Sequence, residues 1–465
     1  MPREMIQHLR RELPAMLKLA VPLVVAELGW MSMGLVDTLM VGRLPNSAVA
    51  MGTVSLGHIL FFAFAIFSLG MIFGLDPMVS QAYGGGRLAD CHRALWSAVY
   101  LCFPLAAFVM AIVYTMPMVL RIIHTNPEVL GPATAYVRVS IWGALPLLLF
   151  HAFRSYLQAT NLVKPITFAL VTANLVNWAG NWLLIYGHWG FPALGVTGSA
   201  WSTVGAQVYL WLVVMMYAIW HDRRHRGDMF DGLRGRHEAQ IRELLRLGGP
   251  AAMQMIAEVG VWGIATVLIG RLDAASLAGH QIALNVISFL FMVPLGISQA
   301  GSVRVGQALG AGNGRAAARS GWTALLLGVL FATASAASLL LFPQSIVRAY
   351  TSDALVQALG AQLLIPCAGF AIFDALQITA SGVLRGSGNT RTAMTVHLIF
   401  YWGIGLPLGC VLCFHVGWDA LGMWLGLATA IVLIGVTLLY AWRSRQRRLI
   451  AEYRNDAPCK SATTA

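Results

Sequence analysis

The sequence predicts an all-α integral membrane protein of twelve transmembrane helices in two homologous six-helix lobes. Three observations predict it. Of 465 residues, 58% are hydrophobic and 11% charged, where a soluble domain carries about 25% charged residues. The apolar residues gather into twelve runs of a length that crosses a bilayer, for which about 20 residues suffice. The chain also repeats itself once. Residues 22–43, PLVVAELGWMSMGLVDTLMVGR, are answered at a shift of 228 residues (250 − 22) by residues 250–271, PAAMQMIAEVGVWGIATVLIGR. Around them Lys18 meets Arg246, Leu19 meets Leu247, and Gly42-Arg43-Leu44 meets Gly270-Arg271-Leu272. Downstream, Gln81-Ala82-Tyr83-Gly84 answers Gln307-Ala308-Leu309-Gly310, and Ala193-Leu194-Gly195 answers Ala420-Leu421-Gly422. A repeat half as long as the protein is a duplication, and two similar membrane halves with a site between them form a transporter plan.

Taken in order, residues 1–14 are polar and basic and read as an interfacial lead-in. The amino-terminal lobe, 1–219, holds spans at 15–41, 47–73, 94–117, 131–157, 162–187 and 193–219. The carboxy-terminal lobe, 243–442, holds spans at 243–270, 277–300, 319–343, 357–384, 394–415 and 419–442. All are expected as helices, because lipid leaves backbone polar groups no other home except a closed barrel. The alternating pattern of a barrel is absent. The first run follows Arg10, Arg11 and Lys18 as a signal peptide would, but it is too long and lacks a small-residue cleavage site, so it reads as a retained helix. Between the lobes, 220–242 (HDRRHRGDMFDGLRGRHEAQIRE) is a charged cytoplasmic linker whose second part reads as an amphipathic surface helix. The tail, 443–465, is a basic cytoplasmic anchor followed by disorder.

Charge and cysteine usage narrow the function. A net charge of +12 could suit nucleic acid, but its placement reports topology instead. Only Arg43, Arg121, Arg271 and Arg348 fall in loops of one side, and Arg138 lies within a span. The remaining Lys and Arg, Arg154 among them, are assigned to the other side. That is the positive-inside pattern, which puts both termini in the cytoplasm and the basic loops against anionic lipid heads. The cysteines at 91, 102, 367, 410, 413 and 459 are scattered; Cys410-x-x-Cys413 has redox spacing but lies in an apolar helix without a second ligand pair, so it reads as two small buried hydrophobes. Gly84-Gly85-Gly86 lacks a following GK[ST] and reads as a tight cytoplasmic turn rather than a phosphate loop. No stretch is long enough for a soluble nucleotide-binding domain, and no cofactor is implied.

Ionisable residues at membrane depth cost roughly 2.5–3.5 kcal/mol each on insertion scales, so each is a candidate for function. Four carboxylates qualify. Asp37 lies in the later half of span 1, where the repeat has Ala265. Span 5 offers Asn177 and Asn181, four residues apart and so on one face, and span 6 offers Ser199, Ser202 and Thr203. A carboxylate with two amide oxygens and a hydroxyl makes an oxygen cage for a small hard cation such as Na+, or a proton relay; the alternative is an interhelical hydrogen-bond cluster. Glu258 in span 7 and Asp374 in span 10 form a second acidic lining, able to exchange a proton or to attract an organic cation. The alternative for each is a structural carboxylate bonded to a neighbouring Gln or Ser. Glu27, about 15 Å before Asp37 along the helix, either faces Glu258 across the lobe interface or pairs with a polar residue that the sequence does not identify. Trp30, Trp178, Trp182, Trp201, Trp262 and Trp402 are candidates for stacking on flat or cationic ligands, or pack between helices. His58, His280 and His397 read as helix-contact residues. Pro22 and Pro250 free a carbonyl in equivalent helices and supply either a hinge or a functionless kink.

Several of these stretches resemble a known family. P-x14-V-D-T-x-M-x-G-R in span 1, the Q-A-Y-G-G-G-R loop, N-W-A-G-N-W-L-L-I-Y-G with A-L-G-V-T-G-S-A, and G-V-L-R-G-S-G-N-T-R after span 10 resemble the multidrug and toxic compound extrusion (MATE) family, in its NorM-like branch. The resemblance runs from about residue 14 to 442. It implies two six-helix lobes in a V around a central cavity, and efflux of cationic lipophilic drugs in exchange for sodium or protons. It places Asp37, Asn177, Asn181 and Thr203 at the amino-lobe cation or proton site, and Glu258 and Asp374 at the acidic positions of the carboxy lobe. The chain departs from many relatives at Trp30, where they carry glutamine, and at Glu27, where they carry a small residue; both positions fall on the expected cavity.

The reading is therefore a monomeric, multi-pass inner-membrane antiporter that exports cationic drug-like substrates in exchange for Na+ or H+. The runner-up is a flippase for a lipid-linked or other amphiphile, which would favour a cationic cavity; four intramembrane acids against one base favour a cationic cargo instead. An embedded enzyme would need a nucleophile–base or metal cluster, and no HExxH, GxSxG or clustered His/Asp is present. A purely structural or receptor role leaves the buried carboxylates without a purpose.

Overall fold

The computed structural model describes residues 2–122, 127–225, 227–235 and 237–455. Among them there is no β-strand, and twelve helical segments are long and apolar enough to cross a membrane. The helices are α1 (Pro2–Val41), α2 (Ser47–Ile72), α3 (Leu75–Gly84), α4 (Leu88–Ile122), α5 (Pro127–Ser140), α6 (Ala144–Ala159), α7 (Lys164–Tyr186) and α8 (Val196–His225) in the first half. The second half contains α9 (Glu238–Ile269), α10 (Ala274–Gly310), α11 (Gly314–Leu341), α12 (Pro343–Arg348), α13 (Ala354–Gly386), α14 (Thr390–His397), α15 (Leu406–Cys410) and α16 (Asp419–Asn455). α2 with α3 and α5 with α6 each make one crossing, and α14, α15 and the π-helical turns Leu398–Gly405 and Val411–His415 together make another.

Several helices overrun the expected spans. α1 already runs from Pro2, where a lead-in was expected, and α16 continues through the basic stretch to Asn455; the disordered tail and Cys459 lie outside the described residues. Gln81–Gly84 is not a loop but the last turn of α3, and the chain turns at Gly86 with φ of 71°. The linker forms a short turn, Met229–Arg234, and α9 starts at Glu238, so no separate surface helix forms. Local chemistry sets the starts of the second-half helices. Asp273, Asn313, Asp353 and Asn389 each accept from backbone amides of the first turn of α10, α11, α13 and α14, satisfying donors that the helix itself cannot. The Ser276 hydroxyl and amide hold the Asp273 carboxyl below its usual value.

Contacts divide the chain into two compact units whose limits differ from the lobe limits. One contains Val25–Val79 and Arg87–Ala252; the other contains Met1–Val24, Ser80–Gly86 and Met253–Ala465. In the first unit α7 packs on α8, α6 on α4 and α8, and α2 on α5. The start of α9 belongs here as well: a Cβ on Gly70 would meet the Ala252 backbone, and one on Gly248 the Met71 carbonyl. In the second unit α13 packs on α10, α11 and α16, with Gly321 lying on the buried Trp442 ring. The start of α1 joins this unit, where a Cβ on Gly296 would meet Val24. Gly70 and Gly296 are 226 residues apart and Val24 and Ala252 are 228 apart, so the two contacts are repeats of each other. The Gln-Ala-x-Gly echo has the same explanation: Gly84 abuts the Gln307 backbone and Gly310 abuts the Gln81 carbonyl, both within this unit. Small residues let helix backbones approach where burial of apolar surface supplies no drive between helices.

Candidate functional site

Asp37 sits on α1 in the first unit and is 5% exposed. Its Oδ1 accepts from Asn181 Nδ2 at 2.6 Å and its Oδ2 from Thr203 Oγ1 at 2.9 Å. Asn181 Nδ2 also approaches Asn177 Oδ1 at 3.3 Å, and Ser202 Oγ donates to the Asn177 carbonyl at 2.7 Å. The sequence spacing does what it implied: Asn177 and Asn181, one turn apart on α7, share a face and are both fully buried. Thr203 reaches Asp37 from α8. Asn181 Oδ1, Asn177 Nδ2 and Ser199 Oγ are buried without a hydrogen-bond partner among the described residues. A set of carboxylate, amide and hydroxyl oxygens with spare lone pairs fits a small hard cation better than a transition metal. Clusters of three or more His, Cys, Asp or Glu are absent among the described residues. An apolar cluster that includes Met40, Val54, Tyr136, Ile185, Ala200 and Val204 brings α2 and α5 together with the same three helices.

A second carboxylate group forms in the other unit. Gln377 Nε2 lies 2.9 Å from Asp374 Oδ1, 3.4 Å from Glu258 Oε1 and 3.1 Å from the Tyr401 hydroxyl. An amide nitrogen has two hydrogens, so three acceptors converge on two donors. Gln377 follows Asp374 by three residues and shares its helical face, a signal readable in FDALQ. Tyr401 comes from the π-helical turn Leu398–Gly405, for which the sequence offers no local cue. π turns often mark functional positions. Beside this group Trp402 Nε1 donates to the Ala257 carbonyl at 3.1 Å and His397 approaches Gln254 at 3.5 Å. His280 takes the Trp424 N–H on Nδ1 at 3.0 Å and sits 2.8 Å from the Thr266 hydroxyl, so it serves helix contact.

Glu27 takes the second of the two placements expected for it, beside a polar partner. It is buried in an ion pair with Arg154 of α6, both side chains under 8% exposed. Arg154, assigned to the cytoplasmic-side bases because it ends a span, is thus a second base packed inside the bundle. The polar partner that the sequence did not identify lies 127 residues away, beyond any spacing rule. Trp30 lies among Phe62, Phe150 and His151, with its plane 3° from that of Phe150 at 6.3 Å between centroids, and edge-on to His151. His58 lies against Phe62. Trp178 and Trp201 are about half exposed, Trp182 stacks on His188, and Trp262 packs on Trp424. Pro22 and Pro250 lie inside α1 and α9. The five described cysteines are free, Cys410 and Cys413 among them.

Twelve apolar helical segments, a duplicated topology and carboxylates buried among amides define a class, the polytopic α-helical membrane transporters. A model of the MatE family matches residues 22–183 and 250–411, once in each repeat. The probable multidrug resistance protein NorM of Mesorhizobium japonicum is 34% identical over 94% of this chain and 95% of its own. Multidrug resistance protein PmpM of Pseudomonas aeruginosa is 31% identical over 98% and 97%. Among solved structures, the eukaryotic MATE transporter AtDTX14 superposes with a TM-score of 0.85 at 19% identity, covering 96% of this chain and all of that one. A MOP-superfamily transporter from Pyrococcus furiosus superposes at 0.82 with 17% identity, covering 94% and 96%. The chain belongs to the MatE family, the multidrug and toxic compound extrusion transporters.

Proposed function

We propose that this protein is an inner-membrane antiporter that exports cationic, lipophilic compounds in exchange for Na+ or H+. The observation that carries the reading is Asp37, a buried carboxylate held by Asn181 and Thr203 with unsatisfied amide and hydroxyl groups beside it. A proton or a sodium ion arriving there takes up the spare lone pairs of the carboxylate and amide oxygens and draws charge away from those two hydrogen bonds, so its binding favours a different packing of α1, α7 and α8. Glu258 and Asp374, joined through Gln377, are the counterpart that meets the cargo's positive charge. Exchange follows if ion and cargo prefer different states. The names of the relatives, multidrug resistance proteins, support a drug-like cargo. Placement of the bases supports cytoplasmic termini, and the lobes 1–219 and 243–442 follow from the repeat. The protein works as a monomer among lipids, since one chain supplies both repeats. Pro22 and Pro250 are the hinges: the chain passes from one compact unit to the other two residues after each of them, after Val24 and after Ala252.

The test is ethidium efflux from proteoliposomes with sodium and proton gradients imposed separately. Transport under one gradient names the coupling ion. Absence under both, in folded protein, would end the antiport reading and favour an uncharged or lipid-linked cargo.

A further inference from the structure

We infer that the linker between the repeats is a proton-sensing strap: His92 of α4 and His237 at the linker's end, when protonated, hold it against α4. The strap, α4, α8 and the start of α9 all lie within the first unit, and the device depends on neither ion nor cargo. Three contacts fasten the turn Met229–Arg234. Trp96 Nε1 donates to the Met229 carbonyl at 2.8 Å. The Met229 amide donates to Asp222 Oδ2 of α8 at 3.0 Å. A Cβ on Gly232 would stand 2.9 Å from Trp96 Cδ1 and 3.0 Å from the His92 carbonyl carbon, so the turn lies directly on α4.

Each histidine makes contacts that its charged form meets best. His237 Nδ1 lies 2.8 Å from Ser97 Oγ, and its Nε2 lies 3.3 Å from the Leu233 carbonyl. The Ser97 hydroxyl donates its one hydrogen to the Arg93 carbonyl at 2.7 Å, so the ring must donate to Ser97. The Leu233 carbonyl needs a donor as well. Only imidazolium carries an N–H on both nitrogens. A neutral ring loses at least one of the three bonds. His92 Nε2 stands 3.7 Å from Asp222 Oδ1, with both side chains buried. Loss of its proton takes the positive charge of His92 away from that carboxylate. The carboxylates on the packed elements are Asp90 of α4, paired with Arg93, Asp228 and Asp231 of the linker, and Glu238 at the start of α9. Tyr100 lies edge-on to His237 and Tyr156 of α6 lies beside His92. Carboxylates and phenols ordinarily titrate outside pH 5–8, where the histidine side chain changes charge. Protonation thus favours the docked strap, and docking weakens as pH rises through the histidine range. On the topology proposed above the strap faces the cytoplasm. Undocking frees the start of α9 ahead of Pro250.

The experiment follows hydrogen exchange at the amides of Met229–Leu233, in the full chain in nanodiscs, between about pH 5.5 and 8.5. Labelling times are scaled to the intrinsic exchange rate at each pH. Protection in the parent should fall about tenfold across that range. His237→Gln should leave a fall of about threefold, and His92→Gln/His237→Gln should leave none. Gly232→Ala, which pushes the turn off α4, should lose protection at every pH. His221 and His225 of α8, which lie ring against ring, remain in every variant. Protection in the parent that does not change with pH would overturn the inference, as would a fall that the double variant keeps in full. Amides of α4 and α8 report the fold in the same data. If the double variant loses protection there too, His237→Gln decides alone, and a fall as large as the parent's would overturn the strap.

Discussion

Asp37 ties three helices together through two hydrogen bonds from neutral side chains. Asp37→Asn keeps the shape and removes the charge. It should abolish gradient-driven efflux while thermal stability in detergent stays near the parent's, because Asn keeps one oxygen for the Asn181 amide and can donate its N–H to the Thr203 hydroxyl, which turns to the Ser199 carbonyl. Efflux at the parent's rate would show that the coupling site lies elsewhere. The Glu27–Arg154 pair behaves oppositely. Removing one member takes from the other its buried counter-charge, at a cost of up to about 3–5 kcal/mol, so Arg154→Met should lower the melting temperature and Glu27→Gln/Arg154→Met together should recover much of it. A double variant as unstable as the single one would argue against direct coupling of the two. At this scale the sequence was readable where a period governs it. Asn177 and Asn181 share a face by their four-residue spacing, and Gln377 follows Asp374 by three. Arg154 was not, because its partner depends on how α1 meets α6, and its place at a span's end made it look cytoplasmic.

The helices were located well by hydropathy and poorly at their ends. Hydropathy stops where polar residues begin, but a helix continues as long as its backbone has partners, so α1, α3 and α16 run on through charged or glycine-bearing sequence. The glycines were visible as echoes without a reason; the backbone contacts supply it. Gly248 and Gly249 are adjacent, and only Gly248 has backbone against it, the Met71 carbonyl. Gly248→Ala should therefore destabilise the protein by several kcal/mol, as overpacking against backbone does. Gly249→Ala faces open space and should be neutral or stabilising by up to about 1 kcal/mol, the helix-propensity difference. Paired melting curves would decide, and equal effects would refute the packing assignment. Pro22→Ala and Pro250→Ala belong to this scale too: each restores an N–H donor within its helix, and each should slow efflux while ethidium still binds with about the parent's affinity.

Across the whole molecule, the fold class followed from composition and from the repeat, both of which need no knowledge of contacts. The limits of the compact units did not follow, because they depend on which helix ends find each other. One unit draws Met1–Val24 and Ser80–Gly86 from the first repeat and the rest from Met253 onwards; the other takes Val25–Val79 and continues through Ala252. That interleaving has a consequence for the order of synthesis. As the chain emerges, the unit that ends at Ala252 has all its residues in hand early. The first part of α1 and the end of α3 must wait, with Gly84 and Val24 still unmatched, until α10 arrives. The first repeat made alone should thus remain open to proteolysis at those ends. A chain cut at Gly227 and expressed as two fragments should co-purify and regain efflux, since each unit needs residues from both pieces. Fragments that each resist protease without the other would contradict this.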